Sequence, residues 1–203
     1  MNGDINSELL RKMQLTELEI LIEFDRLCSI NQIPYQLFAG TLLGAIRHKG
    51  FIPWDDDIDV CMLREDYERF VKIAEVQLDD GYFLQTHETD PEYIHAFARI
   101  RKNNTVALQR DYKDIDMHHG IFIDVFPLDN ISSKMLSGKI QLALVTPFRT
   151  LKRFKIKAVC LRSSKKYKSY IKLIIRFFLR PFSMQALNNI ETKIITMLRY
   201  KNT

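Results

Sequence analysis

At 203 residues the chain can bury a real core, as one domain or one domain plus an appendage. Hydrophobic residues at 46% and charged residues at 27% are ordinary for a soluble globular protein, and no repeat or low-complexity stretch interrupts it. The net charge of +5 hides a split: residues 1–130 hold 13 Lys/Arg against 24 Asp/Glu, whereas residues 131–203 hold 17 against the single acid Glu191.

That asymmetry predicts an acidic part over 1–130 and a basic helical extension over 131–203 with different surroundings. Cys28, Cys61 and Cys160 are odd in number and widely spaced, which argues against a disulfide frame and for reduced thiols. The N-terminus M-N-G-D-I-N-S-E-L-L carries charge where a secretory leader needs an apolar core. No apolar run reaches the roughly 18 residues of a membrane span. A cytoplasmic protein is expected, peripheral at the inner membrane face if the basic part docks there.

Helical spacing of Leu10, Met13, Leu18, Leu21, Ile22 and Leu27 predicts a helix over 7–30, ended by Ile33-Pro34. Tyr35 to Ala39 reads as a buried strand, Gly40-Thr41 as a turn, and Leu42 to His48 as a short helix. Turn amides before a helix N-terminus suit a phosphate, although an ordinary strand–turn–helix connection has the same appearance. The loop G-F-I-P-W leads into a predicted strand from Asp57 to Met62, then a helix over 66–78.

Further strands are predicted at 82–86, 95–101 and 105–108. Arg99 and Arg101 would share a face, either as solvated edge charge or as guanidinium forks for substrate phosphates or the aspartates. Asp124 sits within the apolar strand I-F-I-D-V-F, a costly place for an unpaired carboxylate. His118 and His119 lack zinc spacing and read as rim or structural residues. Helices are predicted at 134–151 and 167–180, joined by K-R-F-K-I-K and L-R-S-S-K-K-Y-K. The segment Y-I-K-L-I-I-R-F-F-L-R-P-F has the mixture of apolar bulk and cations of an interfacial helix, or of a core-covering helix with snorkelling cations.

The chemistry concentrates in W-D-D-D-I-D-V. Four aspartates in five residues repel one another unless a cation neutralises them. On a strand, Asp57 and Asp59 would point the same way with Cα atoms roughly 7 Å apart, able to hold one metal or bracket two. With Asp124 they form an oxygen ligand set for Mg2+ or Mn2+, a cation usually completed by substrate phosphates. Such a site suits phosphoryl-type transfer from a nucleotide donor, with Arg47 and Arg101 as candidates to offset developing charge and Asp124 as proton acceptor.

G-T-L-L-G-A-I-R-H-K-G-F-I-P-W-D-D-D-I-D-V resembles the LicD family, which includes bacterial phosphocholine transferases and is related to fukutin-related protein. H-H-G-I-F-I-D-V-F-P-L-D is similar to the family's second block. The resemblance covers roughly residues 15–130 and implies an α/β (α+β) nucleotidyltransferase-like mixed sheet flanked by helices. It also implies a CDP-linked donor, typically CDP-choline, a glycan acceptor such as a lipopolysaccharide or teichoic acid precursor, and release of CMP. CDP-ribitol or CDP-glycerol donors, or an idle binding or membrane-docking role, are the alternatives. Nucleic acid is not an expected partner. Carried over, the metal set is Asp57, Asp59 and Asp124, with Asp55 as a further candidate ligand. Donor contacts fall on Gly40 and Thr41, with Arg99, Arg101 and Lys102 as supporting cations. Family members run longer than this chain, which is expected to be a short form or a truncated product.

Overall fold

The computed structural model describes residues 7–130, 135–161 and 166–196, which divide into two compact units. The first carries α1 (Ser7–Ile30), β1 (Gln36–Leu37), α2 (Ala39–His48), β2 (Asp59–Leu63), α3 (Arg64–Gln77), β3 (Tyr82–Gln85), β4 (Ala98–Lys102) and β5 (Phe122–Leu128). The second joins segments 87–96 and 109–117 to α4 (Met135–Arg153), α5 (Lys157–Leu161), α6 (Lys166–Leu179) and α7 (Met184–Thr196). The leader reading of residues 1–6, the helix start at Lys134, the centre of the basic tract at 162–165 and the closing Y-K-N-T lie outside the described residues.

The five strands form one mixed sheet in the order β1-β2-β5-β4-β3. Only the central β2–β5 pair is parallel; β1–β2, β5–β4 and β4–β3 are antiparallel. This mixed α+β architecture is the expected fold class. Strand alternation divides the sheet chemically. Val60, Met62, Ala98, Ile100, Ile123 and Val125 form one core with Ile20, Phe24 and Leu27 of α1 and Phe70 and Ala74 of α3. Each large apolar side chain buried there contributes about 1.5–3 kcal/mol. The opposite parity carries Asp59, Asp124, Arg99 and Gln85, register partners in an unbroken row across β2, β5, β4 and β3.

Several local expectations shift. The predicted strand at 105–108 is irregular chain. Asn104 turns in the left-handed region (φ 60°), and the Thr105 hydroxyl then donates to Lys102 O (2.7 Å) and accepts the Ile121 amide (2.9 Å). Gly40 and Thr41 lie inside the first turn of α2, not ahead of it, and Asp57 precedes β2, which starts at Asp59. The strand over 95–101 begins only at Ala98, and β4 lies between β5 and β3, so Arg99 and Arg101 are not edge-strand charges. His118 is structural: it stacks on Phe83 (4.8 Å, 8°), and its Nδ1 accepts the Gly120 amide at 3.1 Å.

In the second unit a small core of Ile94, Ile156 and Met184 is joined by a buried polar cluster. Glu191 accepts from Arg149 Nε (2.6 Å) and pairs with Lys152, whose ammonium also donates to Asn188 Oδ1 (2.6 Å). Asn188 Nδ2 in turn donates to the Tyr93 carbonyl (2.8 Å). The one acid of the basic part thus organises its interior, where breaking a buried pair is expensive. Ile171, Ile174, Phe177 and Phe178 of α6 are exposed. Among the described residues no helix is long and apolar enough to cross a membrane.

Candidate active site

The site forms where α1, the start of α2 and the turn before β2 meet. The Asp59 amide donates to Thr41 Oγ1 (2.8 Å) and the Phe38 amide to the Asp59 carbonyl (2.9 Å), fastening α2 to the head of β2. Thr41 therefore uses its hydroxyl inside the fold, in the first turn where helical amides have no intrahelical partner. Gly40 is needed for space: a Cβ there would stand 2.7 Å from Asp55 Oδ2. Ala39 just before it adopts φ 45°, a conformation that costs an L-residue about 1–2 kcal/mol.

Asp55, Asp56 and Asp57 place one carboxylate oxygen each within 4.8 Å of one another. From α1, Gln14 Nε2 donates to the Asp55 carbonyl (2.9 Å), which pins the turn. Asp59 and Asp124 face each other as register partners, and the Asp124 amide donates to the Ile58 carbonyl at 2.9 Å. The structure thus groups Asp55–Asp57 most tightly, with Asp59 and Asp124 paired beside each other on the central strands β2 and β5.

Crowding shows in the acidities. Burial first, then Asp57, Asp124 and Asp55, pushes Asp59 up to about 7 against the pull of Arg99. Asp57, though exposed at the surface, rises to about 6 through partial desolvation and then its neighbours Asp55, Asp56 and Asp124. Burial also raises Asp124, opposed by Arg99 and Arg101. Groups perturbed together in this way are frequent at functional sites.

The cations are placed differently from one another. Arg99 Nε donates to Asp124 Oδ1 (2.6 Å) and Nη2 to Oδ2 (3.3 Å), with the guanidinium 3.9 Å over the Phe122 ring. Arg101 is 1% exposed and donates to Gln85 Oε1 and the Gly120 carbonyl, both at 2.5 Å. Lys102 pairs with Glu19. Arg47 is exposed in the last turn of α2, its Nε 3.3 Å from His48 Nδ1.

A residue that sequence reasoning missed is Glu17. It is 3% exposed, its Oε2 has no hydrogen-bond partner among the described residues, and it is pushed up to about 9 by burial and by Asp57, Asp56, Asp55 and Asp124. Its signal was periodicity: Gln14, Glu17, Ile20, Phe24 and Leu27 recur on the buried stripe of α1. Beside the turn lies a cavity of about 330 Å³ whose walls include Leu18, Leu21, Phe51 and Ile58, with Asp55 and Asp57 at its polar end. An all-oxygen donor set, the space Gly40 leaves for Asp55 and the orphaned Glu17 oxygen fit a hard divalent cation.

Residues 32–152 match the family LicD/FKTN/FKRP, nucleotidyltransferase domain. The chain is 40% identical over 126 residues to the lipopolysaccharide cholinephosphotransferase LicD of Haemophilus influenzae, covering 62% of this chain and 46% of that protein. An uncharacterised protein of Rickettsia typhi is 40% identical over 74 residues, 36% of this chain and 24% of its own length. One of Rickettsia prowazekii is 42% identical over 55 residues, 27% and 21% respectively. The chain spans less than half the length of the curated relatives it matches.

Proposed function

Because the chain belongs to the LicD/FKTN/FKRP family, we propose that it is the nucleotidyltransferase-like part of a transferase that moves phosphocholine from CDP-choline to a hydroxyl of a cell-surface glycan. The observation that carries this reading is the aspartate turn, three clustered carboxylates coupled to the register pair Asp59 and Asp124. Asp55, Asp57, Asp59 and Asp124 are the residues that would hold Mg2+ or Mn2+. Bound there, the cation supplies charge neutralisation for the donor diphosphate and acidifies the attacking hydroxyl.

The chain's own residues do the rest. Arg99 fixes the orientation of Asp124 within the oxygen set that would hold the cation. The exposed Arg47 meets donor phosphate, while Arg101 and Lys102 act as support for the sheet and α1. The donor alcohol is read as choline from the likeness to the Haemophilus cholinephosphotransferase, and the cavity beside Asp55 and Asp57, lined by Phe51, Thr41 and Lys49 among apolar side chains, is the space that would receive it. The cationic α6 with its exposed apolar face supports docking at an anionic membrane surface, where a lipid-linked acceptor is reached.

The test is CMP release from CDP-choline with Mg2+ and a glycan acceptor lacking phosphocholine, with CDP-ribitol and CDP-glycerol as rival donors. Asp57→Asn and Asp59→Asn should lower turnover by at least the roughly 100-fold typical of lost electrostatic stabilisation. Unchanged turnover in both variants rejects the assignment, and preference for a polyol donor rejects choline.

A further inference from the structure

The buried stripe of α1 runs Gln14, Glu17, Ile20, Glu23, Phe24, Leu27 and Cys28, and of its two acids Glu23 is paired with Arg26. Gln14 satisfies its amide on the Asp55 carbonyl. Glu17, one turn further along, keeps Oε2 without a partner among the described residues, at 3% exposure. The charged groups acting on it are Asp57, Asp56, Asp55 and Asp124, all of its own sign. An apolar side chain would fill this position at far lower cost if packing were its purpose. Leu18 and Leu21 of α1 line the cavity that Asp55 and Asp57 close, and Glu17, on the buried face between Gln14 and Ile20, stands behind that lining.

We propose that Glu17 is a carboxyl partner of the divalent cation held at the aspartate turn, contributed by α1 from behind that turn. The inference rests on the cation reading above and adds to it a residue remote in sequence. A cation placed among these acids gives the orphaned oxygen the positive charge that its protein surroundings withhold. It also explains why α1 carries Gln14 and Glu17 one turn apart: the first sets the backbone of the turn, and the second answers the ion's charge.

Mn2+ titration of the full chain, followed by the free-ion EPR signal, tests the proposal. Glu17→Gln keeps the shape of the side chain and should weaken Mn2+ binding about 10–100-fold, as loss of a supporting partner does at metal sites. Its melting temperature in EDTA should equal or exceed that of the parent chain. Glu17→Met, close in volume, provides the same reading if the glutamine variant does not fold. A folded Glu17 variant that binds Mn2+ like the parent overturns the proposal, and loss of Mn2+ by Asp57→Asn beside it leaves the aspartate site standing. If the parent chain takes up no Mn2+, the cation reading fails and the role of Glu17 with it.

Discussion

Arg99 and Asp124 are cross-strand partners on β4 and β5, joined by two of the guanidinium nitrogens, Nε and Nη2, and both carboxylate oxygens. Each is nearly inaccessible, and Phe122 covers the guanidinium at 3.9 Å. Truncating one member of such a pair strands a buried charge. Arg99→Met should therefore lose about 3–5 kcal/mol in urea denaturation, and the double change Arg99→Met with Asp124→Leu should recover most of it. Additive losses in the double variant would show that the two residues stabilise the fold separately.

Gly40 separates stability from site geometry. Alanine is a better helix former than glycine by about 1 kcal/mol, and Gly40 stands within α2. Yet the added Cβ would press on Asp55 Oδ2, so Gly40→Ala should hold its melting temperature within a few degrees while Mn2+ affinity falls. Equal affinity would mean that Asp55 rotates away without loss and is no ligand.

The raised carboxyls set a direction for pH dependence. Asp57, Asp59 and Glu17 bind protons more tightly folded than unfolded, at about 6, 7 and 9 against ordinary carboxyl values near 4. The folded state then holds the extra protons, so their contribution is greatest below the unfolded values and is lost as pH rises through the folded ones. In EDTA the melting temperature should fall from pH 5 to pH 9. Saturating Mg2+ should flatten that fall, and Asp57→Asn should raise the metal-free melting temperature at pH 8. A melting temperature that rises with pH in EDTA contradicts this charge assignment.

The α6 face predicts a salt-sensitive surface interaction. Ile174, Phe177 and Phe178 are exposed on a helix whose start carries the exposed Lys166 and Lys168, while Lys172 and Arg176 donate inward to the Val159 and Lys155 carbonyls. Co-sedimentation with vesicles containing phosphatidylglycerol should fall several-fold on Phe178→Asp, and again when ionic strength shortens the screening length from about 10 Å at 0.1 M to about 3 Å at 1 M. Equal recovery with neutral vesicles would remove the electrostatic part of the argument.

The sequence by itself determined the elements with strong local periodicity, α1 and the apolar face of the central strands, because helix and strand periods are written into neighbouring residues. It also determined the aspartate cluster, since four acids within five residues stay close in space whatever the surrounding fold. Strand boundaries were less legible: Asp57 stands before β2 and the 105–108 stretch is irregular, because turns and single side-chain bonds override short apolar patterns. Tertiary structure alone decided which distant residues meet. Register across β2, β5 and β4 sets Asp59 beside Asp124 and gives Asp124 to Arg99. The packing of α1 buries Glu17, a polar interruption in an amphipathic helix, on the same face from which Gln14 reaches the Asp55 carbonyl. Pairing register and helix docking are products of the whole core, and no local pattern encodes them.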